Sequence, residues 1–346
     1  MPFSAGHLYC RSDVTLTPSR HSPPQGKLNL VISGTREQPW SFGARSRSGL
    51  QKLPPRGQRV ALPGRGTTFV RSVDGPSGAK PVVLIHGWVA SGGLNWYRAF
   101  DPLGRHFRVI APDMRGHARG IRSFRPFLLE DCADDIAALL SAMNIGPAVI
   151  VGYSMGGPVA QLLWRRHRDR VAGLVMVATS ARPIRTDLAS RVFVDFMGSA
   201  ALAGRIPEYA TWLPRRVART IGKSIGKSFG KSVGKNAGKR REARRATSLS
   251  NWARAEMRRH NLRHLLEAGA ELGRYDARSW IGEIDVPTAV IVTERDRAMP
   301  SALQLAMARS IPRASVHRLD SGHLSCVAEG FGHAVVAACL DVTERL

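Results

Sequence analysis

Ala148-Val149-Ile150-Val151-Gly152-Tyr153-Ser154-Met155-Gly156-Gly157 is an apolar run, a serine between two glycines, and the opening of a helical pattern. Read in order it is a strand, a sharp turn and a helix. A continuous apolar run of this length suits a strand buried on both faces. The pattern G-x-S-x-G then has a mechanical meaning. The serine occupies a strained strand-to-helix turn, so the residues two before and two after it must be small. Gly152 and Gly156 meet that requirement. The turn lifts the hydroxyl off the edge of the sheet and aims the N-terminus of the new helix at the group the hydroxyl attacks. Glycine and serine are common in loops, so the motif decides the fold only together with the pattern on either side of it.

Outward from this stretch the chain alternates. Arg59 to Leu62 and Thr67 to Arg71 are two short strand patterns joined by the turn Pro63-Gly64-Arg65-Gly66. Pro81 to His86, Arg108 to Ala111, Val171 to Ala178, Thr288 to Val292 and Ser315 to Leu319 are further strand candidates. Between them lie helical patterns at Glu130 to Met143, Met155 to His167, Ser301 to Ser310 and Ser325 to Asp341. Strands alternating with helices imply an α/β fold with a mostly parallel sheet covered on both sides. Residues 1–57, rich in Ser, Pro, Gly and Arg and without a sustained period, are expected to be a flexible extension.

The alternation stops between about Ala181 and Asp276. That stretch, with helical pieces and no clear strand, sits between two sheet strands and reads as an inserted helical cap, leaving residues 58–180 and 277–346 as the core. Within it, residues 221–240 repeat a tetrapeptide: Ile221-Gly-Lys-Ser, Ile225-Gly-Lys-Ser, Phe229-Gly-Lys-Ser, Val233-Gly-Lys-Asn, Ala237-Gly-Lys-Arg. A phosphate loop needs its glycines five apart, and here they fall four apart throughout. As a helix the repeat would set lysines beside an apolar stripe, which suits an anionic membrane surface. Five glycines each cost a helix about 1 kcal/mol relative to alanine, so a low-complexity loop insertion is the plainer reading.

Charge is uneven in the same way. The chain of 346 residues has a net charge of +25. Arg215 to Arg263 alone holds 16 Lys/Arg against Glu242 and Glu256, and residues 1–60 hold nine against Asp13 and Glu37. The rest is close to neutral, which argues for basic appendages on an ordinary globular core and against specific nucleic-acid binding. No apolar run approaches the ~18 residues of a membrane span, and Met1 to Arg20 lacks the apolar core of a signal peptide. The expectation is a cytoplasmic protein, peripheral at the membrane if the repeat binds lipid. Cys10, Cys132, Cys326 and Cys339 have no metal-like spacing and are expected to be reduced thiols. No metal or organic cofactor site is evident.

Ser154 as a nucleophile needs a base, and the base needs a carboxylate to orient it. Both must come from loops at the carboxyl ends of the strands. Asp296 follows the strand Thr288 to Val292 in a tight loop that Pro300 closes, with Glu294 as its nearest competitor. His323 follows the last strand in Asp320-Ser321-Gly322-His323. His86-Gly87-Trp88 ends the strand Pro81 to His86. There the Trp88 backbone N–H is expected to meet a developing oxyanion together with the Met155 N–H. Gly87, the Trp88 side chain and Tyr153 are expected around the substrate. Asp113-Met114-Arg115-Gly116-His117 is expected to pin the loop beside the site.

In combination these residues resemble the α/β-hydrolase superfamily: HGW at 86–88, DMRGH at 113–117, GYSMGG at 152–157, the Asp296 loop and GH at 322–323. The resemblance covers about Gln58 to Asp341 apart from the cap. It implies an eight-stranded-type sheet with a cap and a triad of Ser154, Asp296 and His323. Two departures stand out: Ala118 where the family's loop usually has glycine, and the basic repeat. A serine disfavours the dehalogenases and epoxide hydrolases of this fold, which use aspartate there. What remains is acyl chemistry on a small-molecule or lipid substrate. A carboxylesterase or lipase comes first. A thioesterase, acyltransferase, C–C bond hydrolase, cofactor-free perhydrolase or silent receptor are the alternatives.

Overall fold

Short runs of valine, isoleucine and leucine build the centre of the molecule, because β-branched side chains pack well on a pleated surface buried on both faces. In the computed structural model, residues 53–183 and 249–346 are described, with Asp195, Gly198 and Ser199 between them. The strands are β1 (Gly57–Leu62), β2 (Gly66–Val73), β3 (Pro81–Ile85), β4 (Arg108–Pro112), β5 (Ala148–Tyr153), β6 (Val171–Val177), β7 (Thr288–Thr293) and β8 (Ser315–Leu319). They form one eight-stranded sheet in the order β1-β2-β4-β3-β5-β6-β7-β8. β2 is antiparallel to both neighbours, and every pair from β4 to β8 is parallel. β5 and β7 are buried along their whole length.

Helices cover both faces: α1 (Gly92–Trp96), α2 (Phe100–Leu103), α3 (Leu129–Ala142), α4 (Gly156–Arg166), α5 (Leu262–Arg274), α6 (Ser301–Ser310) and α7 (Phe331–Glu344). Two apolar clusters result. One joins Ile85, Ile150 and Met176 to Leu140 and Leu163 from α3 and α4. The other joins Val82, Val151 and Ile291 to Trp96, Phe100 and Val335 from α1, α2 and α7. The alternation of strand and helix patterns predicts this mostly parallel sheet covered on both faces, and the resemblance implies the α/β-hydrolase fold that it forms.

Two details differ from the sequence reading. The single helix expected over Ser325 to Asp341 is broken into a short 3₁₀ turn, Ser325–Val327, and α7. Gly330 lies between them at φ 86°, a left-handed conformation that no helix can pass through. The short helices α1 and α2, between β3 and β4, are too brief to show a period.

The expected cap is described only at its ends. The Ala277 N–H donates to the Ala181 carbonyl at 2.8 Å, so the two ends of the 181–276 stretch meet at one point of the core. Residues 249–257 are helical and α5 follows them. The repeat at 221–240, and all but the last few residues of the expected 1–57 extension, lie outside the described residues. Among the described residues no helix is long and apolar enough to cross a membrane. Cys132, Cys326 and Cys339 are buried free thiols.

Candidate active site

The turn after β5 is as tight as its glycines imply. Ser154 has φ 51°, in the left-handed region that a side chain rarely occupies. A Cβ on Gly152 would stand 2.3 Å from the Gly156 carbonyl oxygen, and one on Gly156 would stand 2.3 Å from that of Ile85. Both obstacles are backbone, so only glycine fits. The Ser154 N–H donates to the Val177 carbonyl at 2.9 Å, and Met155 caps α4. The hydroxyl is thus fixed at the carboxyl edge of β5.

The two remaining expected residues reach this edge from β7 and β8. Ser154 Oγ lies 2.9 Å from His323 Nε2, and His323 Nδ1 lies 2.8 Å from Asp296 Oδ2. Asp296 is held on all sides. Its Oδ1 accepts the backbone N–H groups of Ala298 (2.9 Å) and Met299 (2.7 Å), and its Oδ2 also accepts the Thr293 hydroxyl (2.8 Å). Burial alone would raise this carboxyl. The hydrogen bond and charge of His323, with the Met299 and Thr293 donors, outweigh burial and hold it below the ordinary carboxylate value. An ionised Asp296 keeps Nδ1 as the protonated nitrogen of His323 and leaves Nε2 to accept the Ser154 proton. Glu294 turns away and pairs with Arg318 at 3.2 Å.

Gln304, which does not stand out in the sequence, and Tyr153 both fix these groups. Buried Gln304 on α6 donates to Thr293 Oγ1 (2.8 Å) and to the Met299 carbonyl (2.7 Å), and accepts the Thr293 N–H (3.0 Å). It braces both ends of the Asp296 loop. The Tyr153 hydroxyl donates to the His323 carbonyl and lies 3.1 Å from Ser325 Oγ. Its ring is 3% exposed and packs edge-on against Trp96 and Phe331. Tyr153, expected near the substrate, has its ring turned into the core from the end of β5 and its hydroxyl tied to the His323 loop.

On the other side of Ser154 is the loop after β3. A Cβ on Gly87 would lie 3.3 Å from Ser154 Cβ and 3.2 Å from the Tyr153 ring, so this loop runs against the nucleophile. The Gly87 N–H donates to Asn95 Oδ1 at 2.9 Å. His86 Nε2 accepts the Met114 N–H at 2.9 Å, which puts its proton on Nδ1, donated to the Gly87 carbonyl at 2.8 Å. Complete burial, with His117 nearby, holds His86 down to about 3, so it is neutral. The Trp88 indole is half-buried, and its N–H donates to the Leu265 carbonyl of α5 at 2.9 Å.

The 113–117 loop is pinned as expected. Asp113 accepts the N–H groups of Gly92 (2.9 Å) and Arg119 (3.1 Å). Arg115 forks onto Asp135 of α3 with two bonds of 2.7 Å and reaches Asp131 at 3.0 Å. Ala118, where the family's loop usually has glycine, keeps a positive φ of 38°. Its N–H donates to His260 Nδ1 at 3.1 Å, tying the loop to the end of the cap stretch. Among the described residues no group of three or more His, Cys, Asp or Glu is placed to hold a metal ion.

A family model for the alpha/beta hydrolase fold matches residues 80–329. The chain belongs to the α/β-hydrolase family. Among its relatives, the pimeloyl-[acyl-carrier protein] methyl ester esterase of Chromobacterium violaceum is 40% identical over 106 residues, 31% of this chain and 39% of that protein. Lipase LipV of Mycobacterium tuberculosis is 39% identical over 103 residues, 30% of this chain and 38% of that protein. The chain thus spans less than half the length of either relative. Among solved structures, a hydrolase from Pseudomonas aeruginosa PA01 superposes with a TM-score of 0.63 at 24% identity. It covers 81% of this α/β-hydrolase and 97% of its own chain. A thermophilic esterase from Thermogutta terrifontis gives 0.60 at 23% identity, over 84% and 97%. At these identities the likeness is one of fold.

Proposed function

We propose that this α/β-hydrolase is a serine hydrolase that cleaves carboxylic esters through an acyl-enzyme on Ser154. The observation that carries the reading is the unbroken run of short contacts from Ser154 Oγ through His323 to Asp296, each between 2.8 and 2.9 Å. Relatives named as a methyl ester esterase and a lipase support an ester substrate. His323 Nε2 takes the hydroxyl proton as Ser154 Oγ attacks the ester carbonyl. The C=O bond opens to a tetrahedral oxyanion, which the Trp88 and Met155 N–H groups would hold from the β3 loop and the start of α4. The imidazolium returns its proton to the departing alcohol. Water, deprotonated by the same histidine, then attacks the acyl-enzyme and releases the acid. Throughout, Asp296 stabilises the charge on His323. An intact set of three groups in bonding order is not what a silent receptor needs.

Hydrolysis of p-nitrophenyl esters of graded chain length, by wild type and Ser154→Ala in parallel, tests this. Release of p-nitrophenol by wild type alone is expected, and its chain-length optimum separates esterase from lipase. Full turnover by Ser154→Ala would overturn the mechanism. Residues 221–240 would give such an enzyme a cationic contact with anionic lipid. Liposome flotation with and without them tests that, and equal recovery at low salt would remove it.

A further inference from the structure

Arginines repel one another, so a group of them gathered round one cavity without carboxylates calls for an explanation. A cavity of about 420 Å³ opens where the β1–β2 hairpin, the loop after β4 and the segment leading into α5 converge. Four of the seven described residues that line it are arginines: Arg59 from β1, Arg119 and Arg122 from the loop, and Arg259 from the segment before α5, with Thr67 also in the lining. None of Ser154, Asp296 and His323 lines it, and among the described residues no carboxylate does.

The acids nearby do not balance this charge. Glu256, 1% exposed, lies beneath the arginines and serves three guanidiniums at once: Arg119 at 2.6 Å, Arg259 at 3.8 Å and Arg71 at 3.9 Å. Among the described residues neither Arg59 nor Arg122 has a carboxylate within ion-pair distance. Arg122 is held instead by backbone. Its Nη2 donates to the carbonyls of Ala118 (2.5 Å) and Arg259. A cation fixed by neutral acceptors keeps its full charge while losing its freedom to turn toward solvent, which pre-orients it for an anion.

We propose that this cavity is a binding site for a phosphoryl anion, a phosphomonoester or phosphodiester group, separate from the acyl chemistry at Ser154. Planar guanidinium forks arriving from three segments of the chain match a tetrahedral oxyanion with several acceptor oxygens better than a planar carboxylate, which one or two forks saturate. The volume exceeds a bare phosphate and admits an organic group carried on it. The proposal is independent of the esterase reading, since it concerns binding at residues outside the triad.

Titration calorimetry on the full chain at low ionic strength, with inorganic phosphate, glycerol 3-phosphate and monomeric dihexanoyl phosphatidic acid as three probes, tests it. Wild type is expected to bind all three, with binding weakening as salt is added. Arg59→Gln/Arg122→Gln is expected to lose at least tenfold in affinity. The control Arg105→Gln/Arg309→Gln, which removes the same charge from exposed positions elsewhere, is expected to stay within twofold. Arg59→Gln alone alters an exposed strand residue that makes no ion pair among the described residues, and is expected to weaken binding at least threefold, so the test does not depend on the double variant folding. Tighter binding of the short-chain phosphatidic acid than of glycerol 3-phosphate would identify a lipid headgroup as the source. Equal binding would identify a free phosphoester. No binding by wild type, or equal weakening in the site and control variants, would overturn the proposal.

Discussion

Asp296→Asn changes one atom of the candidate triad, and the hydrogen bonds round it dictate the outcome. Oδ1 receives two backbone N–H groups, from Ala298 and Met299. An amide NH₂ cannot face two donors, so the new side chain must keep its oxygen there and turn its NH₂ toward Thr293 Oγ1 and His323 Nδ1. Thr293 already accepts from Gln304 Nε2 at 2.8 Å. His323 must then present Nδ1 as an acceptor, which moves its proton to Nε2, opposite Ser154. In that tautomer the imidazole has no lone pair for the serine proton. The equivalent exchange in a serine protease triad lowers kcat about 10⁴-fold, which is about 5 kcal/mol at about 1.4 kcal/mol per tenfold. A loss of that size is expected here, in kcat for p-nitrophenyl acetate and with little change in KM. The melting temperature should fall by a few degrees at most, because the Ala298 and Met299 N–H groups keep their acceptor and only the Thr293 hydroxyl and the pair being tested must reverse their hydrogen bonds. A kcat within tenfold of wild type would refute the claim that Asp296 sets the tautomer of His323.

Further outcomes follow from the same contacts. Gln304→Leu removes the brace on Thr293 and Met299 and is expected to lower kcat about tenfold to a hundredfold through a misplaced Asp296, with KM unchanged; an unaltered kcat would show that the loop holds itself. Gly156→Ala drives a Cβ to 2.3 Å from the Ile85 carbonyl and should abolish activity and soluble yield, whereas Gly146→Ala, with nothing within 4 Å, should behave as wild type in expression and melting. Arg115→Met removes both bonds of its fork on Asp135 and leaves that buried carboxylate only Arg65, at 2.6 Å, as a guanidinium partner among the described residues; it is expected to cost about 1–3 kcal/mol in urea unfolding, and no measurable loss would show the Arg115 fork to be dispensable. Stability should fall on acidification. His86 and His117, held down by burial to about 3 and about 4 against an ordinary 6.5, stay neutral when folded while their unfolded forms take up protons, so stability present above pH 6.5 is lost toward pH 4. Asp113, raised by burial to about 6, works in the opposite sense between pH 6 and its ordinary 3.8, but it is one group against three, since burial also holds His260 down to about 2. A melting temperature that holds or rises between pH 7 and 4.5 would refute this balance.

The parts of this molecule that were legible in the sequence are those fixed by neighbours in the chain. The strands β3, β5, β6 and β7 announce themselves as apolar runs, since each is buried on both faces and needs no partner to be recognised. Gly152 and Gly156 are legible because the steric demand they satisfy is local. Ser154, Asp296 and His323 could be paired across 169 and 27 residues only because a parallel sheet brings the ends of its strands to one edge. What escaped reading depends on long-range direction. Tyr153 sits beside the nucleophile in the chain, yet its hydroxyl reaches a carbonyl 170 residues away. Gln304 looks like any polar residue on an amphipathic helix until the Thr293 loop is seen against it. Gly330 lies inside a good helical pattern, and only its φ of 86° shows that the pattern is cut there.

The surroundings of the candidate triad follow an electrostatic logic of their own. During the proposed reaction His323 carries a transient positive charge that Asp296 alone offsets, so any second cation close by would oppose it. The loop facing Ser154 nevertheless contains a histidine: His86 bonds the Gly87 carbonyl, and Gly87 lies against the nucleophile. His117 lies behind it, tilted, with ring centres 5.3 Å apart, and His260 meets His117 edge-on at 5.6 Å. Burial keeps all three neutral, His260 down to about 2, and the Met114 and Ala118 N–H groups fix the tautomers of His86 and His260 by demanding acceptors. Three imidazoles therefore act as uncharged hydrogen-bonding struts between the β3 loop, the 113–118 loop and the end of the cap stretch. Lysine or arginine at position 86 could not serve: neither can accept the Met114 N–H, and either would place a fixed positive charge behind the β3 loop that faces Ser154. Histidine meets the geometric need without the charge, as long as water is kept out.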